Sequence, residues 1–316
     1  MCPRIVCRPG GKNAKSSSPR AQIKVDWRFG PARAGSVFRR IRSLGGRHGR
    51  HDDHCSSGLS NDARRLWSAR ARDYAELQEG QFQPLYESVL QRPEIAGAEA
   101  SLDVGCGPGL AAQVLARKVA HVGGIDASAA FIAIARQRLP GRDFRVGEME
   151  ALPYADASFD VVTGFNVFQY AASPRNALVE ARRVLRTKGT IVIATWGLPQ
   201  DCEAAGHLKA LGGLMPPPPP GAPGPFALSD EANLKALASE AGFTPVAIVD
   251  VACPWTYPDE ATALRGMLSA GPAERAIRNS SVDRAREAVA ASIAAYRTPS
   301  GAYRLNNKFR YLIALK

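Results

Sequence analysis

The stretch LDVGCGPG, Leu102 to Gly109, is the part of this sequence that decides the fold. Its three glycines, Gly105, Gly107 and Gly109, occupy alternate positions. They follow a short apolar run and precede a helix-like segment. Glycine adopts left-handed backbone conformations at little steric cost, so the pattern predicts a tight turn between a strand and a helix. In open α/β sheets, such a turn at the carboxyl end of a strand is a common place for a ligand.

Around this turn, short apolar runs alternate with helical stretches, which is typical of a parallel sheet covered on both faces. The predicted strands are residues 99–105, 121–126, 143–148, 159–166 and 189–196, followed by a sixth over 244–257 and a seventh over 301–316. The predicted helices include 110–118, 128–139 and 174–185, and Lys188-Gly189 is predicted to end the third of these helices. The sequence therefore predicts an α/β fold with a doubly wound, seven-stranded sheet.

The spacing of the glycines separates two classes of ligand. A dinucleotide-binding turn reads G-x-G-x-x-G, but Leu110 stands where its third glycine belongs. Asp103 lies on the strand itself, two residues before the turn, where a carboxylate repels a pyrophosphate and pairs with an ammonium group. The charge therefore favours a ligand with an amino acid end.

Three motifs, LDVGCGPG, GIDAS and GEMEALPYADASFDVVT, fall at the ends of three successive predicted strands. Together they resemble the class I S-adenosylmethionine-dependent methyltransferases that act on small molecules, such as the ubiquinone and menaquinone C-methyltransferase group. The resemblance covers about residues 64–250 and implies a Rossmann-like sheet whose antiparallel last strand lies beside the fifth. It implies in-line methyl transfer from S-adenosylmethionine to a small-molecule acceptor, under helical lid elements at 60–95, 198–228 and 259–298.

The resemblance also implies a role for each motif residue. Asp103 would contact the methionyl ammonium, Gly105 and Gly107 would let the backbone approach the cofactor, and Cys106 would contribute its backbone. Asp126 would accept hydrogen bonds from both ribose hydroxyls, and Ala127 would pack on the adenine. The remaining assignments are Glu148 for the adenine amino group, the Met149 N–H for a ring nitrogen, and Asn166 with Val167 beside the methionine moiety.

Each assignment has a simpler structural alternative. Asp126 could cap the helix that starts at Ser128, Cys106 could be an inert core residue, and Glu148 could be a solvated charge at a strand end. Glu148 is also longer than the aspartate usual in the family. The convergence of three motifs on one cleft favours the binding interpretation.

The acceptor side is less specific. A base is needed only if the acceptor carries a proton at neutral pH, and the candidates for that role or for positioning the acceptor are Tyr170 and His207. Apolar side chains that could line the pocket are Trp67, Tyr74, Trp196, Met215 and Phe226. Trp67, Tyr74 and Tyr170 could instead be ordinary packing residues, and a lone histidine such as His207 is more often a surface or hydrogen-bonded residue than a base. The proline run at 216–220 favours a stiff pocket wall over a ligand for a proline-binding module.

The positive charge of the chain is concentrated at its front. Residues 1–60 carry 13 Lys or Arg against 3 Asp or Glu, whereas 61–316 carry 28 against 26. The segment 1–59 is predicted to be disordered, and three origins stay open: a transit peptide for organelle import, a basic arm that touches phosphates, or translation from a start codon upstream of the true one. Residues 60–316 are expected to form the methyltransferase domain.

Composition narrows the setting and leaves two alternative functions. The six cysteines are far apart and lack zinc-site spacing, so we expect a reducing, cytoplasmic location and no bound metal. No apolar run in the sequence is long enough to span a membrane. The alternatives are an NAD-dependent oxidoreductase and a noncatalytic nucleic-acid-binding protein that uses the basic arm. The near-neutral body disfavours a nucleic acid partner. The oligomeric state and the methyl-accepting atom stay open.

Overall fold

The computed structural model describes residues 64–217 and 224–316. The predictions for segment 1–59 and for part of the proline run lie outside these ranges. The strands are β1 Ala100–Val104, β2 His121–Asp126, β3 Asp143–Val146, β4 Phe159–Phe165, β5 Leu185–Trp196, β6 Thr244–Ala252, β7 Trp255–Tyr257, β8 Tyr303–Leu305 and β9 Lys308–Leu315.

An irregular helical run precedes the sheet. It consists of the short α-helix Ala71–Asp73, the π-helix Tyr74–Gln78, the 3-10 turn Glu79–Phe82 and helix α1, Gln83–Leu90. The later helices are α2 Leu110–Leu115, α3 Ala129–Arg138, α4 Pro174–Val184, α5 Ala205–Gly212, α6 Glu231–Glu240, α7 Glu260–Met267, α8 Gly271–Asn279 and α9 Val282–Ile293. Within the described ranges, no helix is long and apolar enough to cross a bilayer.

The main sheet has seven strands in the order β3-β2-β1-β4-β5-β9-β6. Neighbours from β3 to β5 are parallel, and β9 runs antiparallel to both β5 and β6. This confirms the predicted fold, including the last strand beside the fifth. The strand order reverses between β1 and β4, so the carboxyl end of β1 lies at the switch point where α/β sheets bind ligands.

The central strands read as nearly continuous apolar runs because both faces of the sheet are covered. Residues 191–196 of β5 are all buried. Side chains that alternate along such a strand enter different cores: Val192 and Ala194 belong to one buried cluster, and Ile191 and Ile193 belong to the other. The two cores hold the sheet rigid, which fixes the positions of the loops at its carboxyl edge.

The structure differs from the sequence prediction at the last two strands. The sixth ends at Ala252, because Pro254 cannot donate a ladder hydrogen bond. The last strand breaks at Asn307, whose backbone oxygen accepts from the Cys253 N–H at 2.8 Å. The detached pieces, β7 and β8, pair with each other in a separate two-stranded sheet.

A second difference lies at the turn predicted to stop α4. The helix ends at Val184, and β5 begins at once with Leu185, opposite Phe159. The register then shifts, so that the next partners are Val161 and Thr190. Lys188, with φ of 63°, therefore lies in an irregularity of the strand and not at a helix end.

Candidate active site

The glycine turn at the end of β1 has the conformation that its sequence predicts. Gly105, Gly107 and Gly109 have φ values of 65°, 52° and 89°. A Cβ on Gly105 would lie 2.1 Å from Cγ2 of Val167, so this position also lacks room for a side chain. The N–H groups of Gly105 and Cys106 donate to the Ile125 carbonyl at 2.8 and 3.0 Å, which holds the turn against β2.

Asp126 ends β2 and links two loops. Its Oδ1 accepts from the Ser128 N–H at 2.8 Å, and its Oδ2 accepts from the Gly107 N–H at 2.9 Å. The simpler alternative for Asp126, a role at the start of the helix after Ser128, therefore has support, because the carboxylate accepts a hydrogen bond at the start of α3. Each oxygen nevertheless keeps acceptor capacity for a ligand hydroxyl. Desolvation raises the pKa of Asp126 to about 6.

Asp103 is 1% exposed and accepts a hydrogen bond from Thr163 Oγ1 on β4 at 2.7 Å. Desolvation raises the pKa of Asp103 to about 7, and the neighbouring Glu79 and Asp126 carboxylates add to that rise. Within residues 64–217 and 224–316, neither Asp103 nor Asp126 forms an ion pair. The turn is thus flanked by two carboxylates that lack a cationic partner in the described chain, a costly arrangement that a cationic ligand would relieve.

A small pocket opens beside the turn at the ends of β2 and β3. It is lined by Gly105, Ile125, Asp126, Ala127, Gly147, Glu148 and Met149. Five of these seven residues are among those that the sequence assigns to the cofactor. The three strand-end motifs therefore converge on one pocket, as the binding interpretation requires and helix capping alone does not.

Glu148 has a partner that the sequence does not reveal. Arg64 donates to Glu148 Oε1 through Nε at 3.0 Å and through Nη2. The pair lies half-exposed at the rim of the pocket, and Ser68 Oγ lies 2.8 Å from Ser128 Oγ on the same side. Residues 64–68 thus lie against the residues that follow β2 and β3.

Two further cofactor candidates, Cys106 and Asn166, lie at the ends of β1 and β4. Cys106 is buried in the core with its Sγ hydrogen-bonded to the Gly107 carbonyl, and burial raises the pKa of its thiol. Asn166 has φ of 53°, donates its N–H to the Ala194 carbonyl at 2.8 Å, and leaves its buried Oδ1 without a partner. An unpartnered acceptor in this position suits a ligand group.

The predicted pocket-lining residues fall into two aromatic clusters. The first cluster comprises Trp67, Tyr74, Phe131 and Tyr170. The Trp67 ring lies 5.7 Å from that of Tyr74 and 5.8 Å from that of Tyr170, both edge to face. This cluster joins the N-terminal helices to α3 and to the loop after β4.

The second cluster lies around the end of β5. It comprises Trp196, His207, Phe226, Trp255 and Phe309. The Trp196 ring lies 4.5 Å from that of Phe309 and 5.4 Å from that of Phe226. Met215 is half-buried against the same core. The ring contacts therefore form two sets, although Tyr74, Trp196, Met215 and Phe226 all pack in or against one hydrophobic core.

The two candidate bases differ in protonation. Burial lowers the pKa of His207 to about 4, so its imidazole is neutral at pH 7, and its buried Nδ1 lacks a hydrogen-bond partner. Burial raises the pKa of Tyr170 to about 12, so its phenol stays protonated. At neutral pH, His207 is a neutral imidazole with one donor and one acceptor nitrogen, whereas Tyr170 can act as a hydrogen-bond donor.

Sequence reasoning missed a buried polar group in the N-terminal run. Glu79 is 2% exposed, accepts from the Leu110 N–H at 2.8 Å and pairs with Arg138 at 2.6 Å. In the sequence it looks like one of several solvated helix charges. The π-helix at Tyr74–Gln78 shifts the helical phase and turns Glu79 inward, and no periodicity signal predicts such an insertion.

The central segment of the chain is similar in sequence to known proteins. Residues 102–193 match a family described as a methyltransferase domain. A demethylmenaquinone methyltransferase of Thermotoga maritima is 40% identical over 97 residues, which are 30% of this chain and 42% of the relative. A ubiquinone biosynthesis O-methyltransferase of Maricaulis maris is 38% identical over 99 residues, 30% of this chain and 39% of the relative.

The similarity to a solved structure covers more of the chain than these sequence matches do. A protein of Bacillus halodurans described as a candidate methyltransferase superposes with a TM-score of 0.50 at 16% identity, over 73% of this chain and 97% of that protein. The matched stretch spans less than half of the two sequence relatives. Residues 102–193 are thus similar to a methyltransferase domain, and the chain shares its fold with a candidate methyltransferase, both of which agree with the resemblance drawn from the sequence motifs.

Proposed function

We propose that this protein transfers a methyl group from S-adenosylmethionine to a small-molecule acceptor. The observation that carries the proposal is the pocket beside the glycine turn, where five predicted cofactor residues meet, Asp126 among them. Within the described ranges neither Asp126 nor the nearby Asp103 forms an ion pair. An NAD-dependent oxidoreductase fits less well, because its pyrophosphate would face Asp103.

The residues present suit this cofactor. Asp103 would hold its ammonium group, and Asp126 would accept from the ribose hydroxyls with the lone pairs that its backbone donors leave free. Ala127 and Met149 would enclose the adenine, with the Met149 N–H directed to a ring nitrogen. Glu148 would accept from the adenine amino group, sharing its carboxylate with Arg64. Asn166 and Val167 would lie beside the methionine moiety.

The cofactor supplies an electrophilic methyl group on a sulfonium sulfur. Because methyl transfer is an in-line displacement, the chain must align the acceptor and exclude water. The two aromatic clusters, contributed by the lid segments 60–95 and 198–228 and by strand ends, supply apolar walls for that purpose. A proton-bearing acceptor would use neutral His207 as base or Tyr170 as a donor that positions it.

A small, partly apolar acceptor has two supports. The body of the chain is nearly neutral, unlike a nucleic-acid-binding surface, and the predicted acceptor-side residues form contacts between aromatic rings. Two relatives are named for demethylmenaquinone and for ubiquinone biosynthesis. A cytoplasmic location is part of the proposal.

Titration calorimetry with the full chain tests the cofactor. Saturable binding of S-adenosylmethionine and S-adenosylhomocysteine, without binding of NADH, is the expected result. Tight NADH binding without either of the other two would contradict the proposal. Steeply salt-dependent RNA or DNA binding that disappears when residues 1–58 are removed would favour the nucleic acid alternative.

A further inference from the structure

Glu79 is a buried carboxylate outside the cofactor pocket, and it comes from a different part of the chain. It follows the π-helix Tyr74–Gln78, in which the Glu79 N–H bonds back to the Tyr74 carbonyl. This wider turn brings Glu79 under Tyr74, on the side that faces the sheet. A charged side chain that is 2% exposed needs partners that compensate its lost hydration.

Its partners lie on the segment that leaves the glycine turn. Glu79 Oε1 accepts from the Leu110 N–H at 2.8 Å, and Glu79 Oε2 accepts from Arg138 Nη1 at 2.6 Å. The same Arg138 nitrogen donates to the Pro108 carbonyl at 2.9 Å. The pair therefore holds both backbone groups that flank Gly109, one directly and one through Arg138.

These contacts give a hydrogen-bond partner to a backbone N–H group at the start of α2. The first N–H groups of α2 have no carbonyl within the helix, and a carboxylate at a helix N-terminus satisfies one of them and suits its positive dipole. The turn is also held by β2, through Ile125 and Asp126, and by its own bond from the Gly109 N–H to the Cys106 carbonyl. Glu79 holds the opposite side of the turn and ties it to the N-terminal run.

We propose that Glu79 is a positioning residue for the cofactor: with Arg138 it fixes the backbone around Gly109, so that the glycine turn is already shaped for the ligand. The inference rests on the proposed function. It makes the N-terminal run part of the binding apparatus, although no atom of Glu79 lines the pocket.

The test measures S-adenosylmethionine affinity by calorimetry in the full chain and in three variants. Glu79→Ala should weaken binding at least tenfold, because a buried charge-assisted contact to the turn is lost. Glu79→Gln keeps an oxygen for the Leu110 N–H but turns its NH2 group toward Arg138, so it should recover only part of that loss. Tyr257→Phe is the matched control, since it removes a buried 2.8 Å hydrogen bond to Gln78 of the same run without touching the turn.

A second readout needs no cofactor. Amide hydrogen exchange over residues 105–115 of the unliganded protein should be faster in Glu79→Ala and unchanged in Tyr257→Phe. Equal loss of affinity in Glu79→Ala and Tyr257→Phe, or unchanged affinity in Glu79→Ala, would overturn the inference alone. Failure of the unsubstituted chain to bind S-adenosylmethionine would overturn the proposed function and this inference together.

Discussion

Replacing Asp103 with asparagine should separate the stability of this fold from its affinity for the cofactor. The carboxyl group is 1% exposed, and desolvation raises its pKa from 3.8 to about 7. Between these values the folded state holds a proton that the unfolded state has released. The stability that Asp103 contributes is therefore complete below its unfolded pKa and is lost as the pH rises through 7.

The size of the effect follows from the shift. One pKa unit corresponds to about 1.4 kcal/mol, so the wild type should lose about 2–3 kcal/mol between pH 5 and pH 8 relative to Asp103→Asn. Any constant cost of burying the amide cancels, because only the change with pH is compared. The same variant should bind S-adenosylmethionine at least tenfold more weakly at pH 8, since the ammonium loses its carboxylate.

Urea unfolding followed by tryptophan fluorescence at several pH values measures the first effect, and calorimetry measures the second. Asp160→Asn is the matched control, because Asp160 lies at the opposite edge of the sheet, where hydrogen bonds and Arg186 lower its pKa. Its stability difference from the wild type should not change between pH 5 and pH 8. A constant difference for Asp103→Asn as well, or one of opposite sign, would refute the reasoning.

Three further predictions concern other parts of the site. Asp126→Ala should weaken S-adenosylmethionine binding by more than about 1 kcal/mol in calorimetry, because charge-assisted hydrogen bonds to the ribose are lost; unchanged affinity would place the ribose elsewhere. Gly105→Ala should destabilise the fold and abolish binding, because its Cβ would lie 2.1 Å from Val167 Cγ2. Adding Val167→Ala should restore part of the stability, and no restoration would mean that the positive φ is the main obstacle. Burial lowers the pKa of His207 to about 4, so unfolding should become easier as the pH falls below 6.5. His207→Leu should remove about 2 kcal/mol of that loss between pH 7 and pH 5, and identical urea midpoint shifts in both proteins would contradict the assignment.

The order of the strands could be predicted because the information is local. Apolar runs of strand length, the three glycines and the helix caps all lie within a few residues of one another, and parallel strands require helical crossovers. Asp103, Asp126 and Glu148 were placed at strand ends by counting along the chain. The carboxyl ends of adjacent parallel strands meet at one edge, so their convergence on one pocket could also be expected.

The remaining features depend on contacts between distant residues. Pro254 marks a break in a strand, but the pairing of β7 with β8 depends on residues about 50 positions later. The aromatic candidates could be chosen by residue type, yet their division into two clusters depends on how the lid helices pack. Arg64 and Glu79 carry no local signal that separates them from the solvated charges around them.

The sequence by itself predicted the class of protein, because the glycine turn lies in consecutive residues and the proposed cofactor contacts lie in three strand-end motifs. Tertiary structure alone decided the electrostatics of the site. Asp103 is buried without an ion-pair partner in the described part of the chain, and Glu79, directly after a π-helix, is buried against the glycine turn. Desolvation and long-range packing depend on the whole fold, whereas a turn depends on its own residues.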